Sequence, residues 1–135
     1  MNNTSNFLKL LSDESRMRIL MLLSNKELCV CQIMGVLGIS QPLVSRNLSL
    51  LSNAGLLDER RDGKLIFYSL KNALPHFESE VVGILKKQLK NDETRINDLK
   101  SLTDCHEYQM KTGKCDMKTF LEFMEKKRKK KHVGR

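Results

Sequence analysis

Val36-Leu37-Gly38-Ile39-Ser40-Gln41-Pro42-Leu43-Val44-Ser45-Arg46-Asn47-Leu48 is the stretch that decides the fold. Gly38 suits the C-cap of a short helix carrying Ile33, Met34, Val36 and Leu37. Ser40 or Gln41 can cap a second helix, with Pro42 in its first turn, where a missing N–H costs nothing. Two helices joined by Gly38-Ile39-Ser40 make a helix-turn-helix pattern. In the second helix Val44, Leu48 and Leu51 share an inward stripe, flanked by Leu43 and Leu50. The other face presents Gln41, Ser45, Arg46, Ser49, Ser52 and Asn53. Short polar side chains and one arginine let a helix enter a major groove closely, although an ordinary solvated face has the same composition.

The residues that follow favour the DNA reading. Asn53-Ala54-Gly55 ends the helix, and Leu57, Glu59, Ile66, Tyr68 and Leu70 fall in two short strands around Arg60-Arg61-Asp62-Gly63-Lys64. Asp-Gly is a strong hairpin signal, and basic residues flank it. Helix-turn-helix followed by a basic-tipped hairpin is a winged helix-turn-helix. Arg60, Arg61 and Lys64 are then expected to touch phosphate or minor groove, which positions the protein without specifying sequence.

Upstream, Phe7, Leu8, Leu10 and Leu11 predict a first helix ending near Ser12-Asp13-Glu14. Ser12 or Asp13 caps the next, about 14–24, which is apolar on nearly every side and reads as the central buried helix. Between it and the helix-turn-helix stands Glu27-Leu28-Cys29-Val30-Cys31-Gln32-Ile33, with two thiols one residue apart. Thiolates bind soft ions, so this stretch suggests a chemical sensor joined to a DNA reader. On an ideal helix residues i and i+2 are about 200° apart, so a shared ion requires Cys29, at least, to lie outside the helix.

Downstream, Phe77, Val81, Ile84, Leu85 and Leu89 predict a long helix from Ala73-Leu74-Pro75. Ile96, Leu99 and Leu102 continue it unless Asn91-Asp92-Glu93 breaks it. A small winged helix already has its core, so this amphipathic helix and the first are expected to form a two-fold homodimer interface. The fold class expected is therefore mainly α with a small β-hairpin, a homodimeric winged helix-turn-helix. Residues 1–102 form the DNA-binding and dimerisation domain, 103–125 a cysteine-containing extension, and 126–135 a basic, disordered tail.

The chain carries a net charge of +8 and a pI near 9.5, but Lys126, Lys127, Arg128, Lys129, Lys130, Lys131 and Arg135 supply seven of those charges. The remaining 125 residues are nearly neutral, so DNA affinity in the body depends on where its charges sit. The longest apolar run, 19–23, is too short to span a bilayer and Asn2 to Asn6 do not read as a leader, so a cytoplasmic protein with no membrane partner is expected. Four cysteines in a reducing compartment are free, metal-binding or redox-active rather than a disulfide framework.

Asp13-Glu14-Ser15-Arg16, Glu27-Leu28-Cys29-Val30-Cys31, 40–48, Ala54-Gly55-Leu56-Leu57 and Arg61-Asp62-Gly63-Lys64 together resemble the bacterial ArsR/SmtB family of metal-sensing repressors, over about residues 7–89. The resemblance implies a winged-helix dimer that binds double-stranded operator DNA and is released by an inducer. It implies Cys29 and Cys31 as inducer ligands, with Gln41, Ser45, Arg46 and Asn47 on the recognition helix. Cys-Val-Cys marks the arsenite-responsive branch and the related cadmium/lead branch. The latter adds N-terminal cysteines, and none precedes Cys29, so As(III) or the similar Sb(III) is the leading inducer, with no resident cofactor required. Three departures stand out: Met34 where the arsenite branch often has a third cysteine, Gln32 where acid usually follows the second, and Asn47 in place of a usual histidine.

Trivalent arsenic prefers three sulfurs, and two sulfurs with a small third donor are a second choice that Cys29 and Cys31 alone could supply. Cys105 and Cys115 are the further candidates, in the same chain or across the dimer, while a separate Cys105-His106-Cys115 metal site matches no familiar zinc spacing. His76, near Glu78 and Glu80, reads as a helix-start residue rather than a ligand. Competing functions are a cadmium, lead or zinc sensor, a thiol-redox repressor of the same fold, and a DNA-binding module without sensing. An enzyme is not expected, since the chain lacks a Cys-x-x-Cys, a Gly-rich nucleotide loop and a paired acid/base constellation.

Overall fold

The computed structural model describes residues 1–133, with side chains to residue 130. Its elements are α1 (Asn2–Leu11), α2 (Glu14–Leu23), β1 (Leu28–Cys29), α3 (Val30–Leu37) and α4 (Gln41–Asn53), then β2 (Leu57–Asp62), β3 (Leu65–Leu70), α5 (His76–Gln88), α6 (Glu93–Thr112) and α7 (Met117–Val133). Asp13 caps α2 by accepting from the Arg16 N–H, and Ser40 caps α4 by accepting from the Leu43 N–H. Gly38 takes the left-handed conformation that stops α3 and turns the chain into α4. The core gathers Ile19, Leu20, Met21 and Leu22 of α2 with Ile33, Val36, Val44, Leu48, Leu51 and Leu56, so the inward stripe expected of α4 is the one buried.

The wing is a three-stranded antiparallel sheet in the order β1-β3-β2. Asp62 pairs with Leu65, leaving Gly63 and Lys64 as a two-residue turn in which Gly63 alone has positive φ. That is the Gly-first pattern of a type II′ turn. The short strand β1 pairs Leu28 with Tyr68 and Cys29 with Phe67, which ties the two-thiol stretch to the wing.

After the wing, the break left open at Asn91-Asp92-Glu93 is the course the chain takes. A single helix through residues 91–93 does not form: α5 ends at Gln88, and Asp92 caps a new helix by accepting from the Arg95 N–H. Helix α6 then runs on to Thr112, well past Leu102, until Gly113 closes it in the left-handed conformation. Its buried stripe is Asp98, Ser101, Leu102 and Cys105, at helical spacing but half polar, which hides it from an apolar reading. Asp98 accepts from Arg18 at 2.8 Å, and Ser101 donates to the Val36 carbonyl.

Residues 126–133, expected as part of a disordered tail, continue α7, while 134–135 lie outside the described residues. Lys127 Nζ donates to the Val36 carbonyl at 2.8 Å and to Ser101 Oγ at 2.7 Å, which anchors this part of α7 across α3 and α6. Arg128 pairs with Glu125, and Lys126 lies over the Tyr108 ring. Phe120 and Phe123 of α7 are buried in the core, and Phe120 packs beside Gly35 of α3. Among the described residues no helix is long and apolar enough to cross a membrane.

Candidate thiol site and nucleic-acid interface

Cys29 is the last residue of β1 and the N-cap of α3, with extended backbone (φ −92°, ψ 171°). Cys31 falls in the first turn of α3, so one thiol lies outside the helix and the other just inside it. Gln32 accepts from the Cys29 N–H at 2.9 Å and donates through Nε2 to Gln109 Oε1 of α6 at 2.8 Å. This link was not foreseen from sequence, since nothing local ties Gln32 to a residue 77 positions away.

Cys115 sits in the turn between α6 and α7, and its Sγ is 3.9 Å from Cys29 Sγ. All four cysteines are unpaired by disulfides. The Cys31 thiol hydrogen-bonds Cys29, and backbone N–H groups of Gln32 and Cys31 assist, so the Cys29 thiol is drawn down to about 6 against the desolvation of its buried position. Donating that bond pushes Cys31 upward. Burial raises Cys105 and Cys115 to about 12. Cys29 is therefore the thiolate of the group near neutral pH, with protonated thiols beside it.

Cys105 differs from the other three. It is 3% exposed on α6, and its Sγ lies 3.6 Å from where a Cβ on Gly35 would stand, in a packed region with Phe120 and Phe123. His106 is exposed and meets Lys26 at 3.1 Å, so the sequence-suggested Cys105-His106-Cys115 set is not assembled. His76 pairs with Glu80 on the exposed start of α5. Among the described residues, no group of three or more Cys, His, Asp and Glu is already arranged around a metal position.

The prospective DNA surface is the outer face of α4 with the wing. Gln41, Arg46, Ser49 and Asn53 are exposed, and Ser45 and Ser52 are half-buried. Asn47 is not on this face: it is 2% exposed, turned toward α2, where its Oδ1 accepts a 3.4 Å bond from Arg16 and its Nδ2 has no partner. One step around the helix from Arg46 and one before Leu48, it falls inside the buried stripe. In the wing Arg61 and Lys64 are exposed at the tip. Arg60 instead donates to Glu27 at 2.7 Å and lies over the Phe67 ring, so it braces the wing against the segment leading into β1.

Residues 13–59 match the model of a family described as bacterial regulatory protein, arsR family. The chain is 43% identical over 75 residues to an arsenical resistance operon repressor of Escherichia coli K12, which covers 55% of this chain and 64% of that protein. It is 42% identical over 77 residues to an arsenic resistance transcriptional regulator of Pseudomonas putida, covering 56% and 67%. A cadmium resistance regulatory protein of Listeria innocua is 41% identical over 71 residues, covering 52% and 60%. The chain thus spans about two thirds or less of the length of these curated relatives. Among solved structures, the transcriptional repressor BigR of Xylella fastidiosa is 31% identical with a TM-score of 0.55, covering 64% of this chain and 85% of that one. Reduced HlyU of Vibrio cholerae is 26% identical, with a TM-score of 0.57, covering 64% and 88%. The family model stops short of β3, α5, α6 and α7.

Proposed function

Because the chain belongs to the arsR family of bacterial regulatory proteins, we propose that it is a cytoplasmic transcriptional repressor that binds operator DNA as a homodimer and releases it when trivalent arsenic binds Cys29 and Cys31. Antimonite, of the same chemistry, is expected to act likewise. The observation that carries the reading is the position of the two thiols. Cys29 lies outside α3 and Cys31 in its first turn, so an ion shared by both grips the end of the helix that packs against α4.

On the DNA, α4 enters the major groove with Gln41, Ser45, Arg46 and Ser49, and the wing tip brings Arg61 and Lys64 to the phosphates. Dimerisation uses α1 and α5, whose Leu8, Phe77 and Ile84 are exposed apolar side chains and whose Phe7 and Phe77 rings meet edge to face. Arsenic acts as an inducer, not a resident cofactor, and no catalysis is involved. Bound to Cys29 and Cys31, it shifts the first turn of α3 and hence the seat of α4. A coupling of about 1–3 kcal/mol is typical of such an effect, and a complete switch requires near 5.5 kcal/mol.

Operator binding by the purified reduced protein, challenged in turn with arsenite, antimonite, cadmium, lead and zinc, tests this reading. Release at the lowest concentration by the two trivalent metalloids supports it, and release by cadmium or lead alone contradicts it. The Cys29–Cys115 contact favours one second reading, oxidation of this pair to a disulfide by a peroxide. Release by peroxide but not by arsenite would select it.

A further inference from the structure

We propose that Cys115, from the same chain, is the third sulfur on the arsenic held by Cys29 and Cys31, so that inducer binding fastens the α6–α7 turn onto the first turn of α3. This deepens the arsenite reading above and rests on it. The position three residues after Cys31 is Met34, whose thioether has no proton to exchange and which lies buried in the core. The third sulfur must therefore come from elsewhere, and two cysteines remain.

Geometry separates them. Cys115 already touches Cys29, sulfur to sulfur at 3.9 Å, and is only half-buried, so an incoming ion can reach it. Cys105 is enclosed by the packing of α3 against α7 and could join only by opening that contact. The turn that carries Cys115 is held at both ends: Gly113 stops α6, and Asp116 Oδ1 accepts from the Thr119 N–H at 2.7 Å as α7 begins. The Gln32–Gln109 hydrogen bond pins α6 beside the same first turn of α3.

The chemistry balances without a redox step. Arsenous acid exchanges three As–O bonds for three As–S bonds. Two protonated thiols each leave their proton on a departing hydroxyl, and the hydroxide displaced by a thiolate takes one proton from solvent, giving three waters in all. Because no three-ligand cluster stands ready among the described residues, binding has to draw the three sulfurs together. The pull reaches the other end of α3 as well, because Lys127 of α7 holds the Val36 carbonyl two residues before Gly38, where the chain turns into α4.

Arsenic-edge X-ray absorption and operator-release titrations on the reduced, full-length protein test the assignment. Wild type and Cys105→Ala should both show three As–S bonds, with release midpoints within about twofold of each other. Cys115→Ser should show two As–S bonds and one As–O bond, and its midpoint should rise at least tenfold while operator affinity without arsenite is unchanged. Three sulfurs persisting in Cys115→Ser, or their loss in Cys105→Ala, would overturn the assignment while leaving the arsenite reading intact. Failure of wild type to take up arsenite would overturn both. Mixing Cys115→Ser with a Cys29→Ser, Cys31→Ser chain should not restore the wild-type midpoint, and restoration would overturn the same-chain geometry.

Discussion

Cys115 Sγ lies 3.9 Å from Cys29 Sγ although 86 positions separate them in the chain. The contact belongs to a group of thiols whose protonation diverges. Cys29 is drawn down to about 6, first by the hydrogen bond from Cys31, while Cys105 and Cys115 are raised to about 12, first by burial, and Cys31 is raised as well.

The divergence makes stability depend on pH with a definite sign. Unfolded cysteines release their protons at about 8.5. Between about pH 6 and about pH 8 the unfolded chain holds the Cys29 proton that the folded chain has lost, so stability rises with pH. Above that range the other three thiols stay protonated only in the folded state, and stability falls. The thermal midpoint of the reduced protein, followed by circular dichroism, should therefore peak at about pH 8, where the four unfolded thiols together hold as many protons as the folded chain keeps on Cys31, Cys105 and Cys115. Cys29→Ser should remove most of the rise. A rise of the same size in that variant would refute the assignment of the low thiol.

Adjacent residues of α4 should separate binding from folding. Arg46 is exposed on the outer face, and one good base or phosphate contact is worth about 1–3 kcal/mol, so Arg46→Ala should weaken operator binding roughly tenfold or more with little change in thermal midpoint. Buried Asn47 should behave oppositely. Asn47→Ala should alter operator affinity less than about threefold, while the loss of the Arg16 contact is offset in part by removal of an unsatisfied amide. Fluorescence anisotropy on labelled operator, paired with thermal melts, distinguishes the two.

Gly35 sets how closely α7 approaches α3. A Cβ there would meet Phe120 Cδ1 at 3.3 Å and Phe123 Cδ1 at 3.5 Å. Exchanging a helical glycine for alanine ordinarily gains up to about 1 kcal/mol, and here the tight contact should cancel most of that gain. Gly35→Leu should cost about 1–3 kcal/mol by overpacking, and should expose the 113–116 turn to limited proteolysis. A Gly35→Leu protein as stable as wild type would mean that α7 does not rest on α3.

The helix-turn-helix and wing were legible because each is encoded by neighbours. Val44, Leu48 and Leu51 give the stripe of α4, Ser40 and Gly38 its boundaries, and Gly63 the turn. The separation of about 200° between i and i+2 on a helix requires Cys29 outside the helix once an ion is shared, but leaves open whether the ion-free chain is helical through both thiols. Its extended backbone at Cys29 is the structure's finding. Helix α6 was not legible, because its buried stripe recruits Asp98 and Ser101, whose partners Arg18 and Val36 are distant in sequence. The helical basic segment was missed for a similar reason. Lys127 reads as tail in composition but spends its charge on a carbonyl of α3 and a hydroxyl of α6. The approach of Cys115 to Cys29 depends on the length of α6 and the reversal after it, neither of which the cysteine spacing encodes.

The central claim, that the Cys29 and Cys31 thiols convert arsenite binding into DNA release, is tested most directly by one titration. Labelled operator held by the reduced protein is titrated with arsenite, side by side for wild type and the Cys29→Ser, Cys31→Ser double variant. Equal operator affinity before arsenite, with release from wild type alone, is the predicted result. Full release from the double variant at the wild-type midpoint would contradict the account.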